Sequence, residues 1–282
     1  MRRSLGIQKE LGQTETIEGL TAVFESIASI RISKVKDRVT ASQQFFNELW
    51  RIYTKLRVDP RAQIGSRQVN QHQDKPNVFL VLTSEGGLSG DIDERIVRKV
   101  MQAYDPKTTD LIVIGAHGAT QLTSYNVAIK QYFRLPDVDI PLDVGPIVEQ
   151  MIGYAHPAVF YQKYVSLAVQ DVDRIDLLSR VKSLSEEGAT EGTELISPRE
   201  YLFEPSTDVV ADYMESVMLE IAIGQVILES RLAQYASRFN AMYAANSTAK
   251  DLTAELGMRY RRAKRAESDD RIKEVINGMI NQ

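Results

Sequence analysis

The chain has 282 residues, 43% of them hydrophobic and 26% charged, with a net charge of −4. That balance supports a packed core, and no apolar run approaches the ~20 residues a membrane span needs. Cysteine is absent, which excludes disulfides, thiolate catalysis and cysteine-held metal and fits a reducing compartment.

Charge is unevenly distributed. Residues 1–58 carry 10 Lys/Arg against 6 Asp/Glu, residues 59–207 carry 14 against 21, and residues 208–282 carry 10 against 11. An acidic middle is the opposite of a nucleic-acid surface, so no nucleic-acid partner is expected. The start, Met1-Arg2-Arg3-Ser4-Leu5-Gly6, has two cations but no apolar stretch behind them, and no cleaved signal is expected.

Proline organises the chain. All nine prolines fall between Pro60 and Pro205, and proline breaks helix interiors. The flanks are therefore free to form continuous helices, roughly 80 and 110 Å long at 1.5 Å per residue. In the first flank Ile17, Leu20, Phe24, Ile27, Ile30 and Val35 recur at steps of mostly three and four, followed by Val39, Phe46, Leu49, Tyr53 and Leu56. The last flank repeats the pattern with Val217, Ile221, Leu228, Leu232, Tyr235, Phe239 and Met242. Leu252, Leu256, Tyr260, Ala263, Ile272, Val275, Ile276 and Met279 continue it. So narrow a stripe predicts a coiled-coil seam. The plainer alternative is two amphipathic helices broken at Gly224, Asn246-Ser247-Thr248 and Gly257.

Between the flanks, strand and helix signals alternate. Val78–Leu82 is a buried strand ending in the turn Thr83–Gly90, and Asp91 opens a helix with Asp93 and Glu94 in its first turn. Leu111–Ile114 is a second strand, running into Gly115-Ala116-His117-Gly118. Val144 to Ala155 suits a helix, and Val159–Val169 and Val172–Lys182 are strands on either side of a turn near Gln170-Asp171. Ser183 to Pro198 reads as an exposed loop. The order predicts a small parallel sheet with an antiparallel addition. The fold expected is α/β: a long antiparallel coiled coil of the N- and C-terminal helices plus a small Rossmann-like α/β domain. Its parts are 1–58, 59–207 and 208–282.

Little in the sequence points to catalysis. Gly86-Gly87-Leu88-Ser89-Gly90 sits where a dinucleotide phosphate would bind, but the first glycine of the fingerprint falls on Glu85 and no Gly-Lys-Ser/Thr follows. A tight strand-to-helix turn explains these glycines better. His72, His117 and His156 lack metal-ligand spacing. Arg259-Tyr260-Arg261-Arg262-Ala263-Lys264-Arg265 places five cations in seven residues, followed by Asp269-Asp270. On a helix these cations wrap the circumference, as either a solvated surface or a basic collar meeting acidic surfaces.

Four segments, in order, resemble the gamma subunit of F-type ATP synthases. Leu80–Gly90 is similar to the family's L-V-x-T-S-D-x-G-L-C-G, and Tyr201–Ser206 matches its signature before the last helix. Leu228-Glu229-Ser230 with Ala236–Met242 resembles L-L-E-S…A-A-R-M-x-A-M, and Tyr260–Ala266 resembles Y-N-x-A-R-Q-A. Two stretches depart from the family: K-A-M-K-M-V-A-A-S-K is replaced by Ala22–Arg31, and I-T-Q-E by Ser268-Asp269-Asp270-Arg271. The resemblance implies a divergent, non-catalytic rotor shaft that needs no cofactor or metal. Implied partners are the alpha and beta subunits of a surrounding hexamer, the epsilon subunit and the membrane c-ring. Arg31, Lys34, Arg259, Arg261, Arg262, Lys264, Arg265, Asp269 and Asp270 are the expected partner-binding residues. The implied location is peripheral, on the cytoplasmic face of a bacterial membrane. A small nucleotide-binding enzyme and a free-standing coiled-coil scaffold are the competing readings.

Overall fold

A computed structural model describes residues 2–56, 76–136, 143–152, 154, 156–176, 204 and 207–280. The elements are α1 (Arg2–Leu56), β1 (Asn77–Leu82), α2 (Ile92–Ala103), β2 (Thr109–Ile114), α3 (Ala116–Ser124) and β3 (Gln131–Phe133). They continue with α4 (Gly145–Ile152), β4 (Pro157–Tyr164), β5 (Gln170–Asp176) and α5 (Thr207–Ile280). The chain divides into two compact units, Ser29–Ser237 and the pair Met1–Ala28 with Arg238–Gln282.

The larger unit is built on a five-stranded sheet of order β3-β2-β1-β4-β5. β1 pairs in parallel with β2 and β4, β3 joins β2 in parallel, and β5 pairs antiparallel with β4. Alternation along β1 explains why its run is apolar throughout: a sheet covered on both faces needs apolar residues at every position. Val78, Leu80 and Leu82 pack with Ile112, Ile114, Val159 and Tyr161 against Phe46 of α1 and Met218, Ile223 and Val226 of α5. Phe79 and Val81 face the other way, with Leu111, Val113 and Phe160, onto Ile96, Val97 and Val100 of α2. Two layers of helix thus sandwich the sheet. Where the helices meet within this unit, Val35 packs on Leu232, and Gln225 donates to Gln43; these pairs run antiparallel.

Several sequence expectations are revised here. The hairpin turn lies at Val165–Val169, closed by Ser166 N donating to Val169 O at 2.9 Å, and Gln170 and Asp171 belong to β5. Exposed Val165, Leu167 and Val169 extend the apolar alternation past the strand end, which hid the turn. α3 and β3 are additional elements whose sequences carry no strong apolar pattern. α5 runs unbroken through Gly224, Asn246–Thr248 and Gly257. Thr248 Oγ1 donates back to Ala244 O at 3.0 Å, consistent with an intact helix there. The expected loop Ser183 to Pro198, the end of the last expected strand, His72 and most of Tyr201–Ser206 lie outside the described residues.

In the smaller unit, the seam of α1 is not the apolar series. Ile17, Leu20, Phe24 and Ile27 are 52%, 54%, 37% and 45% exposed. The buried positions are Ser4, Thr14, Thr21 and Ala28, the last three spaced by seven. Small side chains at this spacing let two backbones approach closely, and a seven-residue repeat keeps one line facing the partner helix. Asn246 of α5, buried, donates Nδ2 to Glu18 O at 2.8 Å and lies 3.1 Å from Thr21 Oγ1. At the start of α1, Ser4 N and Oγ donate to the Glu267 carboxylate at 3.2 and 2.7 Å. Residue 4 meets 267 and residue 21 meets 246, so the two helices are antiparallel.

Asn246 is the polar key of this seam. We expect Asn246→Ala to destabilise the protein by about 1 kcal/mol, because Glu18 O and Thr21 Oγ1 lose a buried donor. Urea unfolding followed by circular dichroism checks this.

Candidate functional site

The glycine-rich turn sits between β1 and α2 in the larger unit. Thr83, just past β1, anchors it. Its Oγ1 lies 3.0 Å from Ile114 O and 3.1 Å from Gly115 O, and accepts from Gly118 N at 3.2 Å. Gly115 takes φ +102°, and a Cβ there would stand 2.1 Å from Thr83 O. At Gly118 a Cβ would stand 2.1 Å from Thr83 Cγ2. These two glycines exist for close approach.

Asp93 lies at the centre of the same end of the sheet, 1% exposed. Its carboxylate accepts from Ser84 N at 3.3 Å, pairs with Ser84 Oγ, and accepts from Gln162 Nε2 at 2.9 Å. His117 Nδ1 is 2.8 Å from its Oδ2. Gln162 Oε1 in turn accepts from Ser230 Oγ and from Gln234 Nε2 on α5. Burial of a carboxylate requires such saturation by donors. Where a Rossmann turn would present free amides to a phosphate, this chain presents its own carboxylate. Glu85 points elsewhere, accepting from Leu135 N. Gly90, at φ +65°, lies under α5, where Ser237 Oγ donates to Ser89 O at 2.6 Å. The turn fastens the sheet to α5 inside this unit. In the sequence Asp93 is marked only as a first-turn acid, since nothing local signals the partners it gathers from β4 and α3.

Gly118→Ala should cost about 1–3 kcal/mol from overpacking against Thr83. Gly87→Ala, with open space around its Cβ position, should stay within about 0.5 kcal/mol. Paired urea melts of the two variants check the contrast.

The cation cluster lies on α5 in the smaller unit. Arg259, Arg261, Arg262, Lys264 and Arg265 are all exposed, as are Asp269 and Asp270. Arg259 Nε is 3.8 Å from Glu255, Lys264 lies 5.9 Å from the Tyr260 ring centre, and Lys273 is 3.5 Å from Asp270. Arg259, Arg262, Glu267 and Asp270 line an open groove of about 710 Å³ with Ile7 and Ala263. Hydrogen bonds from Ser4 hold the Glu267 carboxyl down to about 2, so the groove keeps both signs of charge. Arg31 and Lys34 lie on α1 in the other unit, the first half-buried and the second exposed. Past Glu267 on α5, Ile272, Val275, Ile276 and Met279 are 55%, 56%, 49% and 74% exposed.

The chain matches known proteins along nearly its whole length. A family model described as ATP synthase matches residues 5–280, and the chain belongs to that family. The ATP synthase gamma chain of Mesoplasma florum is 22% identical, with 96% of each chain covered. That of Staphylococcus carnosus is 24% identical over the same shares. Among solved structures, the rotor of the Euglena gracilis mitochondrial ATP synthase superposes with a TM-score of 0.65 at 13% identity, covering 94% of this chain and 98% of that one. The central stalk and c-ring structure from Tetrahymena thermophila includes a chain matching with a TM-score of 0.54 at 16% identity, over 80% and 99%. At these identities the structures speak to fold alone. Within the family the chain's place is that of the gamma subunit, the non-catalytic central rotor stalk of an F-type ATP synthase.

Proposed function

We propose that the chain works as an axle: α1 and α5 extend into a hexamer of alternating alpha and beta subunits. The α/β domain (59–207) stands on the membrane c-ring beside the epsilon subunit, and the flanks 1–58 and 208–282 form the shaft. Ion flow turns the ring, and the shaft carries the torque to catalytic sites on the beta subunits, at the cytoplasmic face of a bacterial membrane. The observation that carries this reading is the family match over residues 5–280 combined, within the larger unit, with an antiparallel helix pair fastened to a sheet by a buried network. An asymmetric axle biases several sites at once by touching each differently.

Arg259, Arg261, Arg262, Lys264 and Arg265 form the collar that meets the hexamer, with Asp269 and Asp270 setting a change of sign. Arg31 and Lys34 add a second basic contact on α1. Support comes from the exposure of the collar around the helix.

Affinity isolation of the tagged chain from its native cell tests the reading. Recovery with alpha, beta and epsilon-type subunits, about three, three and one per copy of this chain as threefold symmetry around one axle requires, supports it. Recovery alone or as a homo-oligomer overturns it. Removal of residues 259–282 should lower ATP-driven rotation more than assembly, since the helix pair below that point is retained; unchanged rotation would count against the collar.

A further inference from the structure

Among the described residues the sheet ends on β3 and β5, and only the second edge is long. β3 offers three residues, whereas β5 offers seven. An exposed strand edge is a row of N–H and C=O groups ready to pair with another chain. In the hairpin Val165 N donates to Val169 O, so alternation along the antiparallel ladder leaves Gln170, Val172 and Arg174 with their backbone groups directed away from β4. Four of these outward groups are taken by side chains. Arg95 Nη1 donates to Gln170 O at 3.1 Å, and Lys99 Nζ to Val172 O at 2.6 Å. Val172 N donates to Asp171 Oδ1 at 2.8 Å, and Arg174 N to Asp173 Oδ1 at 2.9 Å. The same four side chains also pair with each other: Arg95 Nη2 lies 2.9 Å from Asp171 Oδ1, and Lys99 Nζ 3.4 Å from Asp173 Oδ1. Val172 packs on the α2 side of the sheet and Ile175 on the other, so Asp171 and Asp173 belong to the side opposite α2. The two ion pairs therefore wrap around the sheet edge.

We infer that Arg95, Lys99, Asp171 and Asp173 form a clasp that closes the β5 edge to an added strand, above all to one from a second copy of this chain. Ion pairs this exposed contribute little stability by themselves. Their placement matters more. Each side chain occupies a backbone donor or acceptor that an incoming strand would need, and both pairs would have to open before a new ladder formed. Pairing of two β5 strands would also bring aspartates from both copies onto one short ladder, where like charges face each other at a cost. The clasp leaves this side of the domain to contacts made through side chains. It is independent of the axle reading.

The full chain provides the test, by sedimentation velocity and by amide hydrogen exchange of residues 170–176 at low and high protein concentration, with circular dichroism as the folding control. Asp171→Ala/Asp173→Ala frees Val172 N and Arg174 N, and Arg95→Ala/Lys99→Ala frees Gln170 O and Val172 O. Both should self-associate about tenfold more tightly than the parent, with exchange at 170–176 slowing as concentration rises. Asp171→Asn/Asp173→Asn keeps an acceptor beside each N–H and should stay close to the parent. So should Glu94→Ala/Arg98→Ala, which removes another exposed ion pair, one within α2 itself. Parent-like association of both edge-opening alanine variants would overturn the clasp. An asparagine variant that associates as strongly as Asp171→Ala/Asp173→Ala would overturn it too, because charge and not the capped backbone would then guard the edge. A parent whose 170–176 amides already slow with concentration has an open edge, which also overturns the inference.

Discussion

Everything in the larger unit depends on one buried layer, the face of the sheet formed by Leu80, Leu82, Ile112, Ile114, Val159 and Tyr161. Parallel strands need cover on both sides, and α2 and α3 serve only the opposite face. The remaining face is covered by Phe46 from one flank and Met218, Ile223 and Val226 from the other. Two flanks separated by the 149 residues 59–207 are thereby drawn to one sheet. At about 25 cal/mol per Å² of apolar area removed from water, such a layer is the main stabilising contribution of the unit.

Apolar burial fixes what packs but not its alignment; the polar network does that. Asp93 gathers Ser84, Gln162 and His117, and Gln162 passes the contact on to Ser230 and Gln234 of α5. A saturated buried network tolerates no slip, since displacement of α5 by one helical turn would take from buried Gln162 Oε1 the donors Ser230 and Gln234. A joint of this kind between a sheet and a helix resists sliding better than interchangeable methyl groups.

The sequence was informative wherever burial is continuous. Val78–Leu82 and Leu111–Ile114 were identifiable as strands because both of their faces are covered, and freedom from proline revealed the two long helices. It misled where contact is made by small or polar groups. Thr14, Thr21 and Ala28 carry no hydrophobic signal, so the stripe of larger residues beside them was mistaken for the seam. β3, with Gln131 and Tyr132 exposed, reads like a loop. The Asp93 network was invisible because its members lie 9 to 69 residues away from the carboxylate. Of the basic collar, spacing gave the positions on the helix, while the groove shared by Arg259, Arg262, Glu267 and Asp270 needed three dimensions.

The seam of the smaller unit buries Ser4, Thr14, Thr21 and Ala28 on α1 and Met242, Asn246, Ala249 and Leu256 on α5, so among the described residues Met242 and Leu256 are its buried large apolar side chains. Apolar exposure on unfolding is what gives proteins their large heat-capacity increment. A seam in which hydroxyls, an amide and small methyls outnumber large apolar side chains therefore has a smaller increment than an all-apolar seam of the same length, and its stability varies more gently with temperature. The helix pair should lose less of its grip in the cold than a seam of the same length packed with large apolar side chains throughout.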